Sequence, residues 1–169
     1  MPPELLFRGD TWPSLVDGLA ERGEGRRESG AFLLGQSRDG RAVVTSLAFY
    51  DDLDPNCLTG GISFASEGYG RLWDLCEARG ERVVADANTH PGRGVKQSEL
   101  DRTHPMISMA GHVALIFPNY AQGEISPHQV GVHDYLGNGN WRTSTGAAAG
   151  ARIAVEDPPP RRWWQLWRR

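Results

Sequence analysis

The stretch V-V-A-D-A-N-T-H-P-G-R-G-V-K-Q-S-E-L-D, residues 83–101, changes its character twice within a short length of chain. Its apolar beginning, residues 83–85, has the β-branched composition of a strand. Pro91, Gly92 and Gly94 then predict a loop. Ser98, followed by acidic residues, predicts the N-cap and first turn of a helix. The segment therefore predicts a strand, a loop and a helix in immediate succession.

Three side chains of this segment can meet on one side of it. Ser98 and Asp101 are three positions apart, so a helix places them on the same face. The end of the preceding strand can bring His90 towards that face across the loop. An imidazole and a carboxylate that converge in this way suit a borderline metal such as zinc.

The spacing of these residues resembles the JAMM motif of the JAB/MPN metalloprotease family, H-x-H-P-x6-S-x2-D. The resemblance implies that His90 and Asp101 bind zinc and that Ser98 helps to stabilise a developing oxyanion. The first histidine of the motif is replaced here by Asn88. An amide oxygen is a poorer and neutral donor for zinc, so Asn88 is expected to be a weak or absent ligand.

Three interpretations of Asn88 remain open at this stage. Asn88 ligates through its oxygen and leaves a weaker working site, or it is a substitution that traps an inactive enzyme. In the third interpretation, the chain is a natural pseudo-enzyme that still binds its partner. The other histidines, His104, His112, His128 and His133, are expected to be structural or surface residues rather than substitute ligands.

A second motif lies upstream. Residues 28–35, E-S-G-A-F-L-L-G, resemble the glutamate strand of the same family, and the resemblance implies that Glu28 is the general base. The alternative for Glu28 is a solvated carboxylate at a strand end. Residues 101–106, 111–121 and 131–135 are also similar to the prokaryotic JAB subgroup, so the resemblance covers roughly residues 27–142.

The remaining patterns predict a mixed α+β or α/β fold. Helical spacing covers residues 12–22 and 66–79, and strand patterns cover residues 28–35, 41–50, 62–64 and 111–117. Asp39-Gly40 and residues 137–139 are typical of hairpin turns. A central twisted mixed sheet flanked by two main helices is therefore expected. The resemblance implies the MPN/JAB-like version of this architecture, with cytidine-deaminase-like layering.

Length and composition predict one domain over residues 1–145, followed by a Pro-rich spacer and a Trp/Arg-rich tail over residues 146–169. This tail ends in R-R-W-W-Q-L-W-R-R. It either packs on the domain or frays, or it docks a partner, and membrane contact is not expected. The net charge of −3 gives no reason to propose nucleic acid as a partner.

Two cysteines without a C-x-x-C spacing, and no secretory leader, predict a cytoplasmic protein with reduced thiols. Cys76 is expected in the core. Cys57, in a predicted turn, is expected to be incidental.

The resemblance implies a zinc-dependent isopeptidase that cleaves after the C-terminus of a bacterial ubiquitin-like modifier, in deconjugation or precursor processing. The modifier's C-terminal tail would be the substrate, and zinc the cofactor. The alternative is a non-catalytic MPN-type module that recognises a ubiquitin-like protein or scaffolds a complex. Intact Glu28, Ser98 and Asp101 favour the enzyme, and Asn88 favours the binding module.

Overall fold

The structure is a computed structural model and describes residues 4–157. Within this range eight strands form a single mixed sheet: β1 (Leu5–Phe7), β2 (Gly30–Arg38), β3 (Arg41–Phe49), β4 (Arg82–Thr89), β5 (Val113–Phe117), β6 (Gly131–Gly137), β7 (Asn140–Ser144) and β8 (Ile153–Val155). The helices are α1 (Thr11–Gly23), α2 (Tyr50–Leu53), α3 (Ser66–Arg79), α4 (Glu99–Thr103) and α5 (Ala147–Gly150). The predicted mixed α+β class is confirmed.

The strands follow the order β7-β6-β5-β4-β2-β3-β1-β8. β4 pairs parallel with β5, and β1 pairs parallel with both β3 and β8, whereas the other neighbouring strands are antiparallel. β2 and β4 are neighbours at the centre of the sheet. The two predicted motifs therefore lie on adjacent central strands.

The two long helices belong to two cores that share the residues of β2. Ala31 and Leu33 belong to the core that contains the apolar residues of α1, and Phe32 and Leu34 belong to the core that contains Leu72 of α3. Successive side chains of a strand point to opposite faces, so a strand that is covered on both faces reads as a continuous apolar run. The composition of residues 31–34 follows from this double burial.

Arg152 connects strands from near the two opposite ends of the sheet. The guanidinium of Arg152 donates to both carboxylate oxygens of Asp134 on β6, at 2.6 and 2.9 Å, and also to Glu4 beside β1. Arg152 lies between α5 and β8, and β8 pairs with β1. The predicted domain end at residue 145 is therefore too early, because the sheet continues to Val155.

Replacing Asp134 by asparagine should lower the free energy of unfolding by about 3 kcal/mol at neutral pH, because it leaves a largely buried guanidinium without its main partner. Burial alone would raise the pKa of Asp134, but hydrogen bonds from Arg152 and Arg142 hold it below its ordinary value of 3.8. A carboxyl with a depressed folded pKa stabilises the fold above its ordinary pKa and loses that contribution as the pH falls through the folded value. Urea unfolding should therefore show the full difference at pH 7 and a shrinking one below pH 3.8.

The matched control for this experiment is Asp74→Asn, which removes an exposed carboxylate from α3. Its effect should stay within about 0.5 kcal/mol at either pH. An equal effect of the two substitutions would contradict a structural role for the bridge.

Two local predictions are wrong for the same reason. Residues 62–64 do not form a strand, and only an isolated bridge joins Leu58 to Ile62. The carboxylate of Asp54 instead organises this loop by accepting hydrogen bonds from the backbone of Asn56 and Ala65, at 3.2 and 2.9 Å. The loop folds back onto the α3 side of the sheet, and Cys57 is fully buried rather than incidental.

The predicted spacer Pro158–Pro160 and the Trp/Arg-rich residues 161–169 lie outside the described residues. No helix in residues 4–157 combines the length and the apolar composition that a membrane crossing needs.

Candidate functional site

The register of β2 and β4 places Glu28 across from His90. Gly30 pairs with Asn88 in this antiparallel ladder. The pairing continues one residue further, because the backbone N–H of Thr89 donates to Ser29 and the backbone N–H of Ser29 donates to the Thr89 hydroxyl, both at 3.0 Å. The next residues along the two paired segments are Glu28 and His90. The two motifs thus meet at one end of the central strand pair.

The alternation of β4 explains which of its residues can act together. Asp86, Asn88 and the following His90 are spaced two apart, so they share one face of the strand line. Asp86 and Asn88 both line a pocket on this face, and both are nearly buried. The intervening Ala87 points into the opposite core.

Ser98 is the N-cap of α4, as predicted. Its hydroxyl accepts a hydrogen bond from the backbone N–H of Asp101 at 3.1 Å, and the Asp101 carboxylate accepts one from the backbone N–H of Ser98 at 2.7 Å. The Ser98 hydroxyl also lies 2.7 Å from Asp101 Oδ2. This reciprocal capping box fixes the orientation of the Asp101 carboxylate.

His90 completes the group. Its Nε2 lies 3.1 Å from Asp101 Oδ2, and its backbone is held by Phe117 and Tyr120 on neighbouring segments. The hydrogen bond with Asp101 raises the pKa of His90, against the opposing effect of burial. Burial would raise the pKa of Asp101, but hydrogen bonds from His90 and Ser98 lower it below its usual value. The pair therefore favours an ionised carboxylate beside the imidazole.

The charges of His90 and Asp101 both act on the carboxyl group of Glu28. Burial raises the pKa of Glu28, the positive charge of His90 opposes that rise, and the negative charge of Asp101 adds to it. Its backbone N–H donates to Gly60 at 3.1 Å, which anchors it to the loop before α3. A carboxyl with a raised pKa holds a proton more readily than a fully solvated carboxyl does. It is therefore better suited to accept a proton and return it.

A pocket of about 310 Å³ opens beside these residues. Glu28, Asn88 and Asp101 are part of its lining, whereas His90 and Ser98 are not and connect to it through Asp101. The structure thus brings together the predicted residues Glu28, His90, Ser98 and Asp101, and places Asn88 at the same pocket.

One group at this pocket was missed by the sequence analysis. Asp86 accepts a hydrogen bond from the hydroxyl of Tyr50 at 3.0 Å and lies 2.5 Å from Nε2 of His112. All three side chains are buried. A carboxylate inside the otherwise apolar strand V-V-A-D-A was the available signal, because a buried charge requires partners.

Gly30 is needed beneath this group. A Cβ at Gly30 would lie 2.2 Å from the Tyr50 ring and 2.9 Å from the carbonyl oxygen of Ala87. We expect Gly30→Ala to lower the free energy of unfolding by about 1–3 kcal/mol, because the backbone of a central strand cannot move aside. Urea unfolding measures this effect, with Gly70→Ala as the control.

Gly70 lies in α3, and a Cβ there would meet nothing within 4 Å. Because alanine is the better helix former, that control should be neutral or gain up to about 1 kcal/mol. A tolerated Gly30→Ala substitution would contradict the tight packing of Tyr50 against the strand pair.

His90 and Asp101 offer one nitrogen and one oxygen donor at a separation that two ligands of one metal ion can have. Two ligands at about 2.1 Å from a tetrahedral metal lie roughly 3.4 Å apart, and the His90 and Asp101 donors are separated by 3.1 Å. Among the residues that the structure describes, no three or more His, Cys, Asp or Glu side chains are grouped to suit a metal ion. Asn88, the expected weak third donor, also lines the pocket.

Of the four remaining histidines, one lines this pocket, and the other three, His128 among them, do not. His104 lines the pocket and its Nδ1 lies 2.9 Å from the hydroxyl of Thr103. His112 pairs with Asp86 as described above. His133 is buried between Thr143 and the backbone of Val95. Their exclusion as substitute ligands stays a prediction.

No family model matches this chain. Among solved structures, it is similar to the solution structure of a Desulfitobacterium hafniense protein, with a TM-score of 0.64 and 11% sequence identity over 92% of this chain and 95% of that chain. A Salinibacter ruber protein, also solved in solution, is similar with a TM-score of 0.56 and 15% identity over 92% of each chain. At these identities the similarity establishes a shared fold.

Proposed function

We propose that this chain is a zinc-dependent isopeptidase of the JAMM type, which hydrolyses the amide bond after the C-terminus of a ubiquitin-like modifier. One observation supports the proposal most strongly. The half-buried Glu28 faces the His90–Asp101 pair across the central strands, at the edge of an open pocket. A proton-accepting carboxylate beside a nitrogen–oxygen ligand pair is the arrangement that metal-assisted amide hydrolysis requires.

His90 and Asp101 would hold the zinc ion, with Asn88 as the third and weaker donor. When bound, zinc supplies Lewis acidity, which polarises a substrate carbonyl and makes water a better acid. Every proton transfer is assigned to Glu28: its carboxylate accepts the proton of the attacking water and returns it to the leaving amine. The raised pKa of Glu28, caused mainly by burial, suits both transfers.

Ser98 has two possible partners in this scheme. In the present geometry its hydroxyl donates to Asp101 Oδ2 and keeps that carboxylate oriented towards His90. A hydroxyl that rotates away from Asp101 becomes free to donate to the oxyanion that develops on the substrate. Such a donor is worth roughly 3 kcal/mol of transition-state stabilisation.

A second candidate function is a non-catalytic module that binds a ubiquitin-like tail. The observation that favours it is the donor set itself, since a neutral amide occupies the position of a nitrogen ligand and Asp101 is already engaged by Ser98 and His90. In such a module the pocket would bind the tail without cleaving it.

The two functions are separated by incubating the chain with zinc and a ubiquitin-like protein whose C-terminus is joined to a reporter amine. The isopeptidase should release the reporter, and a chelator should stop the release. Binding of the fusion without release, in the unaltered chain and in the Asn88→His variant alike, would contradict the isopeptidase and support the binding module.

A further inference from the structure

Four aromatic side chains line the pocket beside Glu28. They are Tyr50, Phe64, Tyr69 and Trp141, and each ring packs against another aromatic ring. The Phe64 and Tyr69 rings contact edge to face with centroids 4.9 Å apart, and the Tyr69 hydroxyl donates to the carbonyl of Met106 at 2.7 Å. A pocket of about 310 Å³ with fixed rings suits one long side chain of a ligand rather than a bare glycine backbone.

The Asp and Glu side chains that line this pocket have no Lys or Arg among the described lining residues to balance them. They are the carboxylates of Glu28, Asp86 and Asp101. His104 is the only lining side chain there that can become cationic. Aromatic faces together with carboxylates are the surroundings that favour a guanidinium or ammonium group.

Asp86 lies where it can receive such a group. It lines the pocket, and it is held in place by Tyr50 on one oxygen and by His112 on the other. A carboxylate offers about four acceptor positions, so these two contacts leave room for a further donor. Because Asp86 is nearly buried, an ion pair with it would be weakly screened by salt.

We propose that this pocket is a specificity subsite for a basic side chain, arginine or lysine, of the substrate tail. The aliphatic stem of that side chain would pack between the aromatic walls, and its charged head would reach Asp86. The inference rests on the proposed function, because it places the basic residue within reach of the amide that is cleaved. It narrows the substrates to those that carry a basic residue directly before or directly after the glycine pair at the cleaved bond.

The test compares arginine with citrulline, which has the same shape and no charge. Two peptide frames, acetyl-Ala-Xaa-Gly-Gly-amide and acetyl-Gly-Gly-Xaa-Ala-amide, present the varied residue before and after a glycine pair. Binding to the unaltered chain in zinc-supplemented buffer is followed by NMR titration. In at least one frame the arginine peptide should bind about tenfold more tightly than the citrulline peptide. Equal binding of the two peptides in both frames would overturn the proposal.

Two substitutions locate the effect. Asp86→Asn should reduce the preference for arginine to less than about threefold, whereas Asp17→Asn, which removes an exposed carboxylate from α1, should leave it unchanged. Phe64→Leu keeps the charge and should weaken both peptides. An undiminished preference in a folded Asp86→Asn variant would assign recognition to another carboxylate and contradict the proposed subsite.

This binding measurement is independent of turnover. A preference for arginine without any release of a reporter amine would leave the subsite standing and contradict the isopeptidase. Release of the reporter without a preference for arginine would support the isopeptidase and contradict the subsite.

Discussion

Replacing Glu28 by glutamine should lower the rate of reporter release by about 10²- to 10⁴-fold, the range that a general base contributes. The substitution preserves shape and removes only the ability to accept a proton. Zinc binding should be unchanged, because the expected ligands are His90, Asp101 and Asn88. Single-turnover release of the reporter measures the effect, together with the zinc content of the same sample.

The stability of this variant provides an internal check. Because burial raises the pKa of Glu28, its charged form is disfavoured in the fold. Glu28→Gln should therefore leave the free energy of unfolding equal or slightly higher at pH 7. The matched control is Glu21→Gln on the exposed side of α1, which should keep full activity. A Glu28→Gln variant that releases the reporter as fast as this control would exclude Glu28 as the base.

Replacing Asn88 by histidine should raise the affinity for zinc by at least about 100-fold. Partners in the second coordination shell already change affinity by 10- to 100-fold, and a direct imidazole ligand contributes at least as much. Position 88 lies two residues before His90 on the same strand line and already borders the pocket. Competition with a zinc-sensitive dye measures the affinity, and release of the reporter should increase in parallel.

The control for this gain is Asn56→His, which adds an imidazole to the exposed loop before α3. It should leave zinc affinity unchanged. If Asn88→His binds zinc no better than Asn56→His, position 88 does not contribute to a metal site and the proposed ligand set fails.

The local parts of this molecule could be predicted from the sequence. The cap at Ser98 depends on Asp101 three residues away, and the hairpin of β2 and β3 depends on the turn at Asp39-Gly40. Both are decided by neighbouring residues, for which propensity and side-chain chemistry are informative. The resemblance to two motifs also identified four residues, Glu28, His90, Ser98 and Asp101, that the structure brings to one place.

Long-range features that no motif contains were not predicted. The Asp86 group joins residues 26 and 36 positions apart in the sequence, so no short pattern contains it. The late elements α5 and β8 were assigned to a spacer because Ala147–Gly150 is rich in small residues. Their place in the domain comes from the pairing of β8 with β1 and from the ion pair of Arg152 with Asp134, both of which are long-range.

Zinc binding through His90 and Asp101 is the central claim of this account. Native mass spectrometry of the Asn88→His chain in zinc tests it most directly, with and without Asp101→Ala in the same chain. We predict one zinc ion per chain in the first protein and none in the second. Absence of zinc from the first protein, or an undiminished zinc ion in the second, would contradict the claim.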